Sequence, residues 1–235
     1  MKKILFFILL PIFFAQGFEE KESMVVTKQR TKKNELGTYH KKRNFKKTPE
    51  PVGVIKKKKS KQPLFVIQEH AASHLHFDFR LEVDGVLKSW AIPKGPSLDP
   101  AIKRLAIETE DQPTDYATFE GIIPKGQYGG GTVMVWDIGT YDNSKATYNL
   151  SMAECYEQGR IEIFLQGKKL KGNFALIHTH RPDDNSRQWI FFKMDDEYAS
   201  KKKNPVNTQK KSALTGRTMS QIKKEETGRT EWKSK

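Results

Sequence analysis

The stretch Gln68–Glu82, QEHAASHLHFDFRLE, concentrates ionisable side chains. On a β-strand alternate residues share a face. Residues 74–83 then place His74, His76, Asp78, Arg80 and Glu82 on one side, and Leu75, Phe77, Phe79, Leu81 and Val83 on the other. The apolar side reads as a core face. The opposite side carries imidazoles, carboxylates and a guanidinium in succession, where an ordinary solvated strand mixes Thr, Ser, Lys and Glu. Two neutral imidazoles and one carboxylate form a mixed N/O donor set that suits manganese or zinc and leaves positions for water and a phosphate oxygen. Arg80 beside them could grip a phosphate through two parallel N–H bonds. A Lewis acid next to an anion clamp is what phosphoester hydrolysis requires. His70 lies before this strand, near its entry, from where it could reach back to complete the site.

The elements that must hold these groups are short strands. FVIQEH, LHFDFRLEV and VLKSWAI are rich in aromatic and β-branched residues. Asp84-Gly85 between the last two is a hairpin signal. RLAIETED, TVMVWDIGTYD, RIEIFLQGKKL, GNFALIHTHR and RQWIFFKM continue the pattern, with Gly167, Gly172 and the PDDNS cluster as turns. Residues 150–159 form one short helix ended by Gly159. About eight strands with near-regular turns and one or two short helices call for a mainly β fold, a compact antiparallel barrel. Trp90, Trp136 and Trp189 fall within apolar strands and read as core; Trp232 sits in the basic tail.

Charge and composition set the flanks. The chain has 235 residues, a net charge of +14, 36% hydrophobic and 30% charged residues, which fits one domain with polar ends. The basic excess sits at the edges, in KQRTKK, HKKRNFKK and IKKKKSKQ and again after Lys201. Basic runs on both sides of an ordered core favour a polyanionic partner. The expected organisation is a signal peptide at 1–17, a disordered basic segment at 18–38, the folded domain at 39–198 and a disordered lysine-rich tail at 199–235. MKK followed by ILFFILLPIFFAQG fits an export signal cleaved near Gly17 and is too short to span a membrane, which takes about 20 residues. Initiation at Met24 is the competing reading, and the two imply different compartments. Cys155 is the single cysteine, so no internal disulfide and no cysteine-rich zinc site can form.

Beyond these local readings, QEHAASHLHFDFRLEVDGVLKSWAIPKGPSLDPAIKRLA and DYATFEGIIPKGQYGGGTVMVWDIGTY resemble the phosphoesterase domain of bacterial DNA ligase D and its stand-alone relatives, over about Tyr39 to Met194. The resemblance implies a compact β-barrel that uses manganese to resect 3′-terminal ribonucleotides and remove 3′-phosphates from DNA or RNA ends during end joining. By position it implies His70, His76 and Asp78 as metal ligands and Arg80 at the scissile phosphate. Lys94 and Arg104 match positions used in removing the terminal phosphate. Arg43, Glu50, Glu110 and Tyr116 match further active-site positions. Gln112 stands where the family usually has His, and Asn44 where it usually has Asp. A glutamine amide donates a hydrogen bond but carries no positive charge. Removal of a dianionic phosphomonoester is therefore expected to suffer more than diester cleavage.

Other features weigh less. His178 and His180 share a face, but no third ligand is evident. GQYGGGTV lacks the Lys-Ser/Thr ending of a P-loop and precedes a strand, so it reads as a tight loop. Any polymerase and ligase are expected to be separate proteins, and the chain to act as a monomer. The alternatives are a catalytically weakened module that holds nucleic-acid ends, and an exported nuclease.

Overall fold

Hydrophobic alternation closes this chain on itself. The computed structural model describes residues 36–55, 62–179 and 187–230. A short helix, α1 (Gly37–Lys41), precedes the strands β1 (Leu64–Ala71), β2 (Leu75–Val83), β3 (Val86–Ile92), β4 (Arg104–Glu108), β5 (Gln112–Pro113), β6 (Gly121–Ile123) and β7 (Gly131–Asn143). Helix α2 (Met152–Glu157) leads into β8 (Arg160–Gly167), β9 (Lys171–His178) and β10 (Gln188–Lys193), and α3 (Pro205–Thr208) and α4 (Met219–Thr230) finish the chain. Neighbours run β1-β2-β3-β4-β10-β9-β8-β7, and β7 pairs back with β1. Eight antiparallel strands thus form a closed barrel, as expected, with β5 and β6 attached outside the ring to β3 and β7. The Asp84-Gly85 hairpin turn has φ of +48° and +89°, the left-handed pair that a tight turn between twisted strands demands. α2 falls inside the expected 150–159 helix and opens on a capping box, in which Ser151 and Glu154 satisfy each other's backbone N–H groups.

Two apolar clusters result from alternation. Inside the barrel, Phe65, Ile67, Phe79, Trp90, Trp136 and Trp189 are buried together, and Phe79, Phe191 and Phe174 follow one another at centroid spacings of 4.9 and 5.3 Å. On the outer face of β1–β3 and β7, Leu36, Tyr39, Val66, Leu87, Tyr116 and Val135 form a second, smaller core. β1 is therefore buried on both sides, which explains its unbroken FVIQ run. The outer core ties α1 and the 3-10 turn Thr114–Thr118 onto the sheet, and the candidate site lies between them.

Residues 199–230 correct the expectation of a disordered tail at 199–235 over all but its last five positions, which lie outside the described residues. Ile222 of α4 is fully buried in the barrel cluster. Trp136 Nε1 donates to the Gln209 carbonyl at 2.8 Å, and Lys169 Nζ donates to the Lys211 carbonyl at 2.6 Å. Arg217 pairs with Glu120, Glu225 and Glu226, and the Ser212 hydroxyl donates to Glu120. Lysine-rich composition hid one anchoring apolar residue and a set of backbone carbonyls that barrel side chains satisfy. At the other end, Leu36 is buried and α1 starts at Gly37, so residues 36–38 of the expected disordered segment belong to the fold. The proposed signal peptide, most of segment 18–38, His180 and Trp232 lie outside the described residues. No described helix is long and apolar enough to cross a membrane.

Candidate functional site

The antiparallel register brings the metal-ligand set together. β1 pairs with β2 so that His70 lies opposite His76 and Gln68 opposite Asp78. On the outer face, Gln68 and His70 thus meet His76, Asp78 and Arg80. His70 is the penultimate residue of β1, within the expected FVIQEH strand, and its i, i+2 relation to Gln68 was a signal available in the sequence.

Backbone carbonyls fix both imidazoles. His70 Nε2 lies 2.9 Å from the Gly129 carbonyl and His76 Nδ1 lies 2.9 Å from the His74 carbonyl. A carbonyl only accepts, so those nitrogens carry the protons of the neutral rings. The remaining nitrogens, His70 Nδ1 and His76 Nε2, then turn lone pairs toward the Asp78 carboxylate, each at 3.6 Å. One ligand atom from each residue lies within 4.8 Å of the others. Two lone pairs facing a carboxylate repel one another unless a cation sits among them. The donor chemistry therefore fits a divalent metal, with the carbonyls orienting the ligands as supporting groups do in metal sites.

Arg80 sets the electrostatics. Burial alone would raise the Asp78 carboxyl, but the Arg80 guanidinium at 3.1 Å outweighs it and holds the group well below the usual carboxylate range. Asp78 stays ionised across the physiological range. Arg80 Nε also donates to Gln68 Oε1 at 2.8 Å, and Gln68 Nε2 donates to the carbonyls of Tyr116 and Phe119. Gln68 is thus a positioning residue that the sequence reading missed.

A second network lies beside the first. Glu50 accepts from Arg43 Nε at 2.8 Å, from the Thr48 hydroxyl at 2.8 Å and from the Tyr116 hydroxyl at 3.0 Å. Arg43 Nη1 donates to Glu110 Oε1 at 3.0 Å, while Lys42 Nζ donates to Glu110 Oε2 and to the Tyr128 hydroxyl, both at 3.0 Å. Burial would raise Glu110, but Lys42 and Arg43 draw it below the usual carboxylate range. The Tyr116 hydroxyl is raised well above its ordinary value by burial and by Glu50, so it remains a donor. Arg80 lies 5.0 Å over the Tyr116 ring, which joins the two networks. Lys42, Thr48 and Tyr128 were not anticipated. Lys42 and Tyr128 meet Glu110 only across the fold, so spacing carries no trace of them, whereas Thr48 sits two residues from Glu50.

Gln112 is buried, with Nε2 3.4 Å from Glu110 Oε1 and with Oε1 lacking a hydrogen bond among the described residues. Asn44 accepts from the Lys46 N–H in a local turn. No described contact joins Lys94 or Arg104 to the triad. Lys94 is exposed after β3, and Arg104 begins β4 on the side of the core residue Ala106, its Nε without a described partner. His178 packs edge-on against Trp189 and belongs to no described metal-ligand cluster.

Across the two networks, Lys42, Arg43 and Arg80 balance Glu50, Glu110 and Asp78. The protein side chains are near neutral as a set, so a bound divalent cation leaves the site positive and suited to a phosphate.

The chain is thus a closed antiparallel β-barrel that carries a candidate His–His–Asp metal site on an outer face. Residues 68–178 match the DNA Ligase D 3′-phosphoesterase domain, and this part of the chain belongs to that family. The Multifunctional non-homologous end joining protein LigD of Pseudomonas aeruginosa is 49% identical over 162 residues, covering 68% of this chain and 19% of that protein. The Multifunctional non-homologous end joining DNA repair protein LigD of Mycobacterium tuberculosis is 42% identical over 162 residues, covering 69% and 20%. LigD of Mycolicibacterium smegmatis is 41% identical over 165 residues, covering 70% and 21%. The chain spans about a fifth of the length of these relatives.

Proposed function

We propose that the chain is a manganese-dependent phosphoesterase that removes 3′-terminal ribonucleotides and 3′-phosphates from nucleic-acid ends. The observation that carries this reading is the pair of carbonyl-fixed imidazoles whose free nitrogens converge with Asp78. A bound divalent metal would supply Lewis acidity toward a phosphate oxygen and a water of lowered pKa. Arg80 holds Asp78 ionised and offers guanidinium N–H groups to a non-bridging oxygen. Arg43, locked by Glu50 and Glu110, has guanidinium N–H groups left to donate, while the one Tyr116 O–H is engaged by Glu50 and holds that carboxylate in place. Gln112 can donate its amide N–H to a phosphate but adds no charge, so diester cleavage should be retained better than phosphomonoester removal. Within end joining, a polymerase and a ligase would act on the healed end.

The test is shortening of a DNA primer ending in one ribonucleotide, annealed to a template, with manganese and without it. His76→Ala is expected to abolish cleavage while the protein still binds the duplex. Lack of cleavage under manganese, zinc, cobalt and magnesium alike would sink the hydrolase reading and leave an end-binding module.

A further inference from the structure

The glycine-rich loop after β6 has two sides. On one, the Gly129 carbonyl accepts from His70. On the other, Gly129 and its neighbours wall a groove of about 560 Å³ between the β1–β2 turn and α4. That volume falls within the roughly 300–1,000 Å³ of small-ligand sites and has room for a nucleotide unit.

The groove's chemistry suits an anion. Lys125, Gln127, Ser73, Lys223 and Thr227 supply its polar rim, and Ala71, Ala72 and Ile123 its apolar floor, with no carboxylate among the lining residues. Lys223 and Thr227 are one turn apart on α4 and so share a face. The neighbouring buried Ile222 fixes the rotation of the helix. Glu225 and Glu226 are drawn to Arg217. Arg217, which also pairs with Glu120, offsets part of the acidic charge of α4 and holds it on the side of the C-terminal segment.

We propose that this groove carries the sugar–phosphate backbone of the strand whose 3′ end reaches the triad. The proposal rests on the function proposed above. Lys125 and Lys223 contact backbone phosphates, while the apolar floor meets the sugars. α4 lies outside the residues matched by the family model, so backbone binding would be an addition of the C-terminal segment to the barrel.

The experiment uses the full chain in EDTA, so that no strand is cut, and labelled single-stranded DNA of two, four and eight nucleotides read by fluorescence anisotropy across a salt series. The double variant Lys125→Glu/Lys223→Glu should weaken eight-nucleotide binding by about tenfold or more. Loss of two contacts should lower the slope of log affinity against log salt by about 1.4, at roughly 0.7 per single-strand phosphate contact. Lys171→Glu/Lys203→Glu makes the same charge change in a separate cleft and should alter affinity less than about twofold. Circular dichroism checks folding, and Lys125→Gln/Lys223→Gln gives the same slope test with less electrostatic stress. Equal weakening by both glutamate pairs, or an unchanged slope in the groove variants, would overturn the proposal. An effect equal at two and eight nucleotides would also overturn it, by pointing to a free phosphate site. Failure of manganese-dependent cleavage is a separate result, because binding is measured without turnover.

Discussion

Glu50→Gln probes the network that fastens the N-terminal segment to the barrel. The Glu50 side chain is fully buried, and its Oε1 accepts from both Arg43 Nε and the Tyr116 hydroxyl while Oε2 accepts from Thr48. Glutamine is nearly isosteric, so no cavity opens. Its NH₂ fits only toward Thr48, whose hydroxyl can turn to accept. The other two bonds survive but lose their charge. A hydrogen bond to a charged group contributes about 1.5–3 kcal/mol and a neutral one about 0.5–1.5, so the two bonds lose about 2–3 kcal/mol together. Arg43 keeps Glu110 as its one anionic partner among the described residues, which adds a further, smaller cost. The total, about 3 kcal/mol, corresponds to a fall in Tm of about 6–12 °C for a domain of this size. Thermal unfolding by circular dichroism in EDTA measures it. Limited proteolysis should also cut between residues 36 and 55 sooner than in the parent. A Tm within about 2 °C of the parent, with the same proteolytic pattern, would refute the idea that this carboxylate holds the outer layer in place.

Gln112→His should raise 3′-phosphate removal by about tenfold and diester cleavage by less, because Glu110 beside it would favour a cationic imidazole; paired kinetics on one primer–template measure the ratio, and no gain in either activity would count against it. Ile222→Ala should lower stability by about 2–4 kcal/mol, as expected for emptying a fully buried aliphatic site; a urea melt unchanged from the parent would contradict the docking of α4. Burial pulls Lys169 down to about 8, against partial compensation by Asp137 and Glu69. The folded state then disfavours the ammonium, a penalty that is full below about pH 8 and fades as pH rises toward the unfolded value of about 10.5. The unfolding free energy of the parent should therefore rise relative to Lys169→Met between pH 8 and 9.5, and a constant difference across that window would show the lysine to be freely solvated.

Much of the barrel was readable because period-2 patterning and turn chemistry are local. The hairpin at Asp84-Gly85, the helix within 150–159 and the face bearing His76, Asp78 and Arg80 all followed from near neighbours in sequence. His70 was harder, since its place depends on β1 being buried on both faces and on the register with β2. Arg43 and Glu50 come from one segment and Glu110 and Tyr116 from another, and the two meet only in the fold, so resemblance pointed to them and spacing did not. Lys42, Gln68 and Tyr128 were missed for the same reason. In the C-terminal segment, one buried isoleucine and several side chain-to-carbonyl bonds outweighed a composition that reads as solvated.

Closure of the barrel also bears on how this chain can meet other proteins. An open sheet offers a row of unpaired N–H and C=O groups on which another chain can add a strand. Here the eight ring strands use both flanks on each other, and the strands left outside are β6, of three residues and with α4 packed against it, and β5, of two residues including Pro113. Among the described strands, no long templating edge remains. Among the described residues, a partner therefore meets side-chain surfaces and loops, and the barrel itself offers no long edge for strand addition.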